Sequence, residues 1–171
     1  QSLVYLDQLI SIESEDYEYY KTLYLMGECY RKMQDYDSAI EKYNEALEEE
    51  DNAQAYYKLG RVYAALDQYD DAIYNYEYAI YYKENYHQAY ESLGIIYQNL
   101  GKIKKAIENY KKSISYNPKN VQCLERLAVL HNNEGEHETA KLYAEECLVY
   151  KRSYAGAYYE IGRAEKSLGN L

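Results

Sequence analysis

The 171-residue sequence contains no phenylalanine, no tryptophan, one proline and three cysteines. With a single proline, eight glycines and no segment rich in Ser, Gly or Pro, it has no composition typical of an interdomain linker. No apolar run approaches the roughly 18 residues that a membrane-spanning helix needs. Cys29, Cys123 and Cys147 are odd in number and lack close spacings, which argues against a disulfide framework. We predict free thiols, buried or half-buried, in a reducing compartment.

Acidic residues outnumber basic residues in this chain. It has 29 Asp and Glu against 19 Lys and Arg, a net charge of −10 and a pI of about 4.8. A surface of this sign repels phosphate groups, so the sequence predicts neither a nucleic-acid partner nor an anionic membrane surface as partner. The start, at Gln1, has neither an initiator methionine nor the basic residues of a secretory signal. We therefore expect a piece of a longer protein with a cytoplasmic location.

Tyrosine is abundant instead, with 27 residues, and it follows a regular pattern. Between residues 55 and 84, apolar residues lie three or four apart on two successive helices. They are Tyr56, Leu59, Gly60 and Tyr63, and then, after a polar turn, Tyr69, Ala72, Ile73, Tyr76, Ala79 and Ile80. The pattern recurs, because Gly27, Gly60, Gly94, Ala128 and Gly162 are 33, 34, 34 and 34 residues apart. A fixed period of this length is typical of stacked helical hairpins.

At these positions the chain resembles the tetratricopeptide repeat family. The matching residues are Leu59, Gly60, Tyr63, Tyr69, Ala72, Tyr76 and Ala79, and Pro118 lies where the family often ends a repeat. The resemblance implies an all-α, right-handed superhelical solenoid of antiparallel helix pairs, a single array over residues 1–171. Residues 1–15 would be the second helix of a truncated repeat, followed by complete repeats at 20–52, 53–86, 87–120 and 121–154. Residues 155–171 would form the first helix of a further repeat.

Three local features refine this prediction. Asn52 and Asn120 are expected to cap the N-termini of helices, and Asn117 with Pro118 to end one. Glycine inside a helix costs about 1 kcal/mol relative to alanine. We interpret the periodic glycines as sites where two helix backbones approach closely, with Ala128 in the same role. Tyrosine fills positions where the family often has Phe or Trp, and each buried hydroxyl needs a partner. Source bias and deliberate replacement both remain open as reasons for this preference.

In such an array, the first helix of each repeat lines an inner, concave surface. Eight cations are predicted there: Lys21, Arg31, Lys32, Lys58, Arg61, Arg126, Arg163 and Lys166. Four anions accompany them: Glu28, Glu91, Glu125 and Glu160. A local charge of about +4 on a chain of −10 predicts a protein or peptide partner of acidic character. The alternative is that cations near helix C-termini only complement the helix dipole.

The predicted binding residues combine these cations with tyrosine rings and polar side chains. They are Tyr24, Tyr57, Lys58, Arg61, Gln88, Asn99, Arg126, Asn133, Tyr159 and Arg163. His131 and His137 occupy the positions of Tyr63 and Tyr69 in an earlier repeat, so we interpret them as core residues rather than zinc ligands. The acidic run at residues 48–51 is interpreted as a solvated helix end.

No sequence motif indicates catalysis or the binding of a metal or cofactor. The sequence has no Gly-rich phosphate loop, no GxSxG turn and no paired cysteines at metal spacing. We therefore predict no catalytic residue, no metal, no cofactor and no enzymatic activity.

The predicted function is a protein–protein interaction scaffold that binds a peptide or helical segment along the concave groove. Two alternatives stay open: a docking or regulatory arm of a larger enzyme or complex, and a self-stacking structural module. Tyr158, Ile161 and Leu168 would be exposed on the last helix. This exposure favours homo-association through the end helices, or a longer array.

Overall fold

The computed structural model describes residues 16–170, and all regular secondary structure in that range is α-helical. The helices are α1 (Asp16–Lys32), α2 (Tyr36–Glu49), α3 (Ala53–Ala65), α4 (Tyr69–Tyr82), α5 (His87–Asn99), α6 (Ile103–Tyr116), α7 (Val121–Asn133), α8 (His137–Tyr150) and α9 (Ala155–Ser167). Among these helices, none combines the length and apolar composition that crossing a bilayer requires. The helix predicted at residues 1–15 lies outside the described residues.

The chain divides into two compact units, residues 1–84 and 85–171. In the described part of the first unit, α1 pairs with α2, α3 pairs with α4, and α2 packs on α3. In the second unit, α5 pairs with α6 and α7 with α8, while α6 packs on α7. Helix α9 contacts both α7 and α8. Within each unit, successive helix pairs therefore stack side by side, as expected for helical hairpins of a single kind.

The ends of the helices follow the predicted signals. The Asn52 side chain accepts a hydrogen bond from the backbone N–H of Gln54 at 2.8 Å, and Asn120 accepts one from Cys123 at 3.1 Å. Both predicted N-caps are thus confirmed. Helix α6 ends at Tyr116, directly before Asn117 and Pro118, which confirms the predicted stop. Helix α1 begins four residues before residue 20, where the first complete repeat is predicted to start.

The turn inside each helix pair contains one residue with positive φ. In the second unit this residue is glycine, at Gly101 (φ 69°) and Gly135 (φ 81°). In the first unit the equivalent positions hold Gln34 (φ 62°) and Asp67 (φ 58°). Glycine adopts this conformation readily, whereas a side chain at Cβ makes it unfavourable. The same turn is therefore formed with more backbone strain in the first unit.

Contact within the helix pairs corrects the predicted role of the periodic glycines. A Cβ atom added at three of these positions would lie 2.6–2.8 Å from the nearest atom of an aromatic ring. The pairs are Gly27 with Tyr43, Gly60 with Tyr76 and Gly94 with Tyr110. At Gly60 the backbone oxygen of Ala72 follows at 3.2 Å, whereas a Cβ atom at Gly162 would have no neighbour within 4 Å. Predicting backbone approach as the main reason was wrong for Gly27, Gly60 and Gly94, because each of them makes room first of all for a tyrosine ring.

In the fourth repeat, both residues of the glycine–tyrosine contact are replaced. Ala128 replaces the glycine, and Ala144 stands at the position equivalent to the three tyrosines. Both alanines are fully buried in one apolar cluster with Leu124, Cys147 and Ala157. The larger residue on one helix thus coincides with a smaller one on its partner, as close packing at constant volume requires.

The hydroxyls of two buried tyrosines have partners on the first helix of their pair. Tyr43 donates a hydrogen bond to Glu28, and Tyr110 donates one to Gln98 at 2.9 Å. Both rings are fully buried. Buried hydroxyls were predicted to need such partners, and polar residues of α1 and α5 provide them here.

The three cysteines are free, with Cys29 half-buried and the other two buried. This confirms the predicted free state and burial of the thiols. Burial raises the pKa of Cys123 and Cys147 to about 12, so both thiols stay protonated and unreactive near neutral pH.

Candidate functional site

Most of the predicted binding residues lie on the first helices of the pairs, and they form two separate groups. In the first unit, α1 contributes Tyr24, Glu28 and Arg31, and α3 contributes Tyr57, Lys58 and Arg61. We call these six residues the α1–α3 face.

Glu28 is the centre of the α1–α3 face. Its carboxylate accepts hydrogen bonds from Arg31 Nε at 3.0 Å and from Lys58 Nζ at 2.8 Å, and also from the Tyr43 hydroxyl. Burial opposes its ionisation, but the bonds from Arg31, Lys58 and Tyr43 outweigh burial and lower the pKa of Glu28 to about 2. The residue is therefore a carboxylate at neutral pH, and it holds two cations and a ring in place.

The aromatic part of the same face rests on the core. Tyr24 packs against Tyr43 with 5.9 Å between ring centroids, and Tyr57 packs against Tyr76 at 5.6 Å. Both outer rings are half-buried. Burial and the neighbouring Glu28 carboxylate raise the pKa of Tyr24 to about 12, so its hydroxyl is neutral. These two rings provide a rigid, partly apolar platform beside the cations.

Positive charge on this side of the first unit exceeds what Glu28 can neutralise. The sequence places five of the eight predicted cations here, and Glu28 is the one anion of the predicted set. Arg31 and Lys58 are paired with Glu28. Lys21, Lys32 and Arg61 are exposed, and none of them forms an ion pair with another side chain of the range 19–170. Within that range, the three cations thus remain available to an anionic partner.

The second unit carries a related but neutral arrangement, the α7–α9 face, formed by Asn132 and Asn133 of α7 and Glu160 and Arg163 of α9. Glu160 is only 4% exposed and accepts hydrogen bonds from Asn132 at 2.8 Å and from Arg163 at 2.9 Å. Arg163 also donates to the Asn133 side chain at 2.9 Å. The structure therefore brings the predicted residues Asn133 and Arg163 into direct contact.

The remaining predicted residues of the second unit are more scattered. Arg126 is half-buried and lies close enough to the Tyr110 hydroxyl to oppose the rise in the pKa of that tyrosine, which burial causes. Gln88 and Asn99 are both exposed at opposite ends of α5. Tyr159 is exposed by 68%.

The predicted excess of positive charge on the inner surface is not shared by the two units. The second unit contributes three cations (Arg126, Arg163, Lys166) and three anions (Glu91, Glu125, Glu160), so its share is neutral. The whole predicted excess of about +4 belongs to the first unit. All three anions also accept hydrogen bonds from uncharged donors. Asn120 donates to Glu91 at 2.8 Å, Tyr154 to Glu125 at 2.6 Å and Asn132 to Glu160 at 2.8 Å.

The two histidines that could suggest a metal have structural partners. His131 is buried, its ring stacks on Tyr143 at 5.4 Å, and its Nδ1 lies 2.7 Å from a Glu136 oxygen. His137 Nδ1 lies 3.0 Å from the Asn132 side-chain oxygen. Across the described range, no three His, Cys, Asp or Glu side chains are grouped so that they could hold a metal ion.

From the sequence, Glu28 was predicted only to be one of four anions, and its role as the centre of the face was missed. The one signal available was the spacing of Glu28 and Arg31, three residues apart on a helix. The contact with Lys58 spans 30 residues and depends on how α3 packs beside α1.

Comparison with known proteins agrees with this architecture, which is that of an all-α helical-repeat protein. Two family models described as tetratricopeptide repeat match residues 87–120 and 109–141. A third model, described as anaphase-promoting complex, cyclosome, subunit 3, matches residues 2–79. These matches support assignment of the chain to the tetratricopeptide repeat family. A search of curated protein sequences gave no significant match.

Solved structures extend the comparison over nearly the whole chain. MamA is 25% identical, with a TM-score of 0.79 over 89% of this chain and 84% of that chain. A tetratricopeptide repeat protein from Parabacteroides merdae is 20% identical, with a TM-score of 0.81 over 90% of this chain and 61% of that chain. YrrB, described as a TPR protein with an unusual peptide-binding site, is 21% identical, with a TM-score of 0.74 over 87% and 77% of the two chains. The predicted fold class, an all-α solenoid of helix pairs, is confirmed, and the architecture is that of a protein-interaction scaffold.

Proposed function

We propose that this chain is a non-catalytic scaffold whose α1–α3 face binds an extended acidic peptide of a partner protein. The observation that carries the proposal is that the whole excess of positive charge among the predicted inner-surface residues belongs to the first unit, where three exposed cations lie on the same two helices as two half-buried tyrosine rings. Unmatched cations beside half-buried aromatic rings suit a ligand that alternates carboxylates with apolar side chains.

Each part of the face has a distinct role in this proposal. Glu28 keeps Arg31 and Lys58 in fixed positions, so less side-chain entropy is lost when a peptide binds. Arg61 offers its whole guanidinium group for charge-assisted hydrogen bonds to a carboxylate. Tyr24 and Tyr57 provide flat surfaces for apolar side chains of the peptide.

The comparisons support the class of ligand and leave its sequence to experiment. YrrB, which has the same fold, is described as having a peptide-binding site. The acidic character of the peptide is our own inference from the charges of this chain. A cytoplasmic location is part of the same proposal, because all three thiols are free and such thiols persist in a reducing compartment.

A direct test compares matched charge variants. A fluorescein-labelled peptide of alternating Asp, Glu and Leu residues is titrated against the protein, and binding is followed by fluorescence anisotropy. Lys32→Gln/Arg61→Gln removes Arg61 of the face and Lys32, the exposed cation next to Arg31 on α1, and is expected to weaken binding about tenfold, the sum of two exposed charge contacts. Lys104→Gln/Lys111→Gln removes two exposed cations of α6 and serves as the control for net charge. Equal weakening by both double variants would contradict a specific site on the α1–α3 face.

Homo-association is a second candidate, favoured by the exposure of Tyr158 (57%) and Tyr159 (68%) on α9. Two neighbouring exposed rings on one helix are suited to a protein contact. Sedimentation velocity over a hundredfold range of concentration tests it. A species that remains monomeric throughout would exclude this candidate and leave the peptide-binding proposal intact.

A further inference from the structure

The first unit contains a second surface feature, a cleft of about 500 Å³ between helices α2, α3 and α4. Its lining residues are Asn44, Leu47, Glu48, Tyr56, Leu59, Tyr63, Asp71, Tyr74 and Asn75. We call it the α2–α4 cleft. It uses Tyr56, Leu59 and Tyr63 of α3, whereas the α1–α3 face uses Tyr57, Lys58 and Arg61. The two sites therefore share a helix but no residue.

Tyrosine rings in mutual contact form one wall of the cleft and continue beyond it. Tyr74 packs on Tyr78 with 4.5 Å between centroids, and Tyr56 lies 5.2 Å from Tyr78 and 5.5 Å from Tyr82. Tyr74 remains 54% exposed although it touches its neighbour. The Tyr56 hydroxyl is held by Asp51 at 3.0 Å. The wall thus exposes part of its aromatic surface to the solvent, most of all at Tyr74, while ring–ring contacts keep the rings oriented.

Charge around the cleft has a single sign. No Lys or Arg occurs between residues 43 and 57 or between residues 62 and 82. Nine acidic residues occur in these two segments: Glu45, Glu48, Glu49, Glu50, Asp51, Asp67, Asp70, Asp71 and Glu77. The one cation of α2, Lys42, is paired with Glu45 at 2.6 Å. Two carboxylates, those of Glu48 and Asp71, line the cleft itself.

We propose that the α2–α4 cleft binds a basic peptide segment, with an arginine or lysine side chain of the partner inserted between the tyrosine wall and the two carboxylates. A cation over the face of Tyr56 or Tyr74 is attracted by the π-electrons of the ring. Glu48 and Asp71 accept charge-assisted hydrogen bonds from the same cation. The acidic lining repels anions, so this ligand is opposite in charge to the one proposed for the α1–α3 face.

An organic cation suits the cleft better than a metal ion does. Glu48 and Asp71 do not belong to any group of three or more potential metal ligands among the described residues. The remaining lining is aromatic, aliphatic or amide. Rings and isolated carboxylates recognise ammonium and guanidinium groups, whereas hard metal ions require several oxygen ligands around one point.

The test uses a fluorescein-labelled peptide of repeated Gly-Ser-Arg and the same peptide with citrulline, a neutral analogue, in place of arginine. We expect the arginine peptide to bind about tenfold more tightly than the citrulline peptide. Glu48→Gln/Asp71→Asn should weaken binding of the arginine peptide about tenfold, and Tyr74→Ala about fivefold. Glu108→Gln/Glu138→Gln removes two exposed acids of the second unit and should change the affinity by less than about twofold.

Outcomes of this experiment decide between the proposal and its competitors. Equal affinities for the arginine and citrulline peptides, or equal effects of the two double acid variants, would overturn the proposal. Self-association that Glu48→Gln/Asp71→Asn abolishes would also overturn it, because the occupant would then be a second copy of the chain. Lys32→Gln/Arg61→Gln should bind the arginine peptide no more weakly than the unaltered protein does. Failure of the acidic-peptide site and failure of this cleft are therefore distinguishable.

Discussion

The α1–α3 and α7–α9 faces share the same local arrangement but differ in net charge. Each has a glutamate on a first helix that pairs with an arginine three residues later, Glu28 with Arg31 at 3.0 Å and Glu160 with Arg163 at 2.9 Å. The neighbouring first helix adds a lysine in one case, Lys58, and an asparagine in the other. The first face therefore keeps excess positive charge, while the second is balanced. A count over the whole chain hides this difference between the two faces.

The helix pairs of the first unit and the last complete pair, α7–α8, fill the space between their two helices with different side chains. The first unit uses Gly27 and Gly60 to accept tyrosine rings, and the last complete pair of the second unit uses alanine on both helices. The two solutions show that the size of one side chain is matched to the size of its partner. A change to either member alone should therefore be costly.

The largest effect is expected at Gly60. In Gly60→Ala, the new Cβ would lie 2.8 Å from the ring of Tyr76, which is buried and has little room to move. We expect the free energy of unfolding to fall by about 2 to 3 kcal/mol, although alanine is the better helix former. Urea unfolding followed by circular dichroism measures this loss.

A double variant sharpens that comparison by copying the alanine pair of the second unit. In a Tyr76→Ala background the ring is absent, so adding Gly60→Ala should cost nothing further and can restore part of the lost packing. Strict additivity of the two single changes would show that the ring is not the reason for the glycine.

The next effect concerns the centre of the basic face. Glu28→Gln removes the negative charge that holds Arg31 and Lys58, and we expect a loss of about 1.5 kcal/mol near neutral pH. The pKa of Glu28 is lowered from its ordinary value of 4.5 to about 2 in the folded protein. Its contribution is therefore complete above pH 4.5 and is lost as the pH falls toward 2.

Thermal unfolding of both proteins across this range gives the readout. The difference in melting temperature between unaltered protein and Glu28→Gln should narrow below pH 4.5 and close near pH 2. A difference that stayed constant with pH would mean that Glu28 stabilises the fold by its shape rather than by its charge.

A smaller effect is expected from converting one face toward the other. Lys58→Asn gives the α1–α3 face the amide that Asn132 provides on the α7–α9 face. We expect binding of the acidic peptide to weaken about fivefold, the loss of one partly screened charge contact. Lys104→Asn on α6 is the matched control for charge, and an equal loss in this variant would argue that only net charge matters.

The smallest effect lies in the turns. Gln34 has a positive φ of 62° where the second unit has Gly101. Gln34→Gly should raise the free energy of unfolding by about 0.5 to 1 kcal/mol, because glycine removes the clash of the side chain with the backbone. The reverse change, Gly101→Gln, should lower it by a similar amount. Urea unfolding of both variants detects the paired shift, and a loss of stability in Gln34→Gly would contradict the assignment of strain to this turn.

Much of the fold could be predicted because its signals are local. The period of 33 and 34 residues, the caps at Asn52 and Asn120, and the stop at Pro118 each depend on neighbours along the chain. The partners of Glu28 could not be predicted in the same way. Lys58 reaches it from another helix, and Tyr43 reaches it across the helix pair.

The α2–α4 cleft escaped prediction for the same reason. Its carboxylates, Glu48 and Asp71, belong to different repeats, and Tyr56 and Tyr74 meet only when α3 and α4 pack together. The acidic run at residues 48–51 is exposed at the end of α2, as predicted, and Glu48 also lines the cleft. Composition alone could not indicate that these acids and rings share one surface.

Hydrogen exchange measured by mass spectrometry tests the central claim, that the basic α1–α3 face and not the neutral α7–α9 face binds an acidic partner. The full chain is compared with and without the peptide of alternating Asp, Glu and Leu residues. We predict slower exchange in α1 and α3 and unchanged exchange in α7 and α9. Slower exchange in α7 and α9 with none in α1 and α3 would contradict the account.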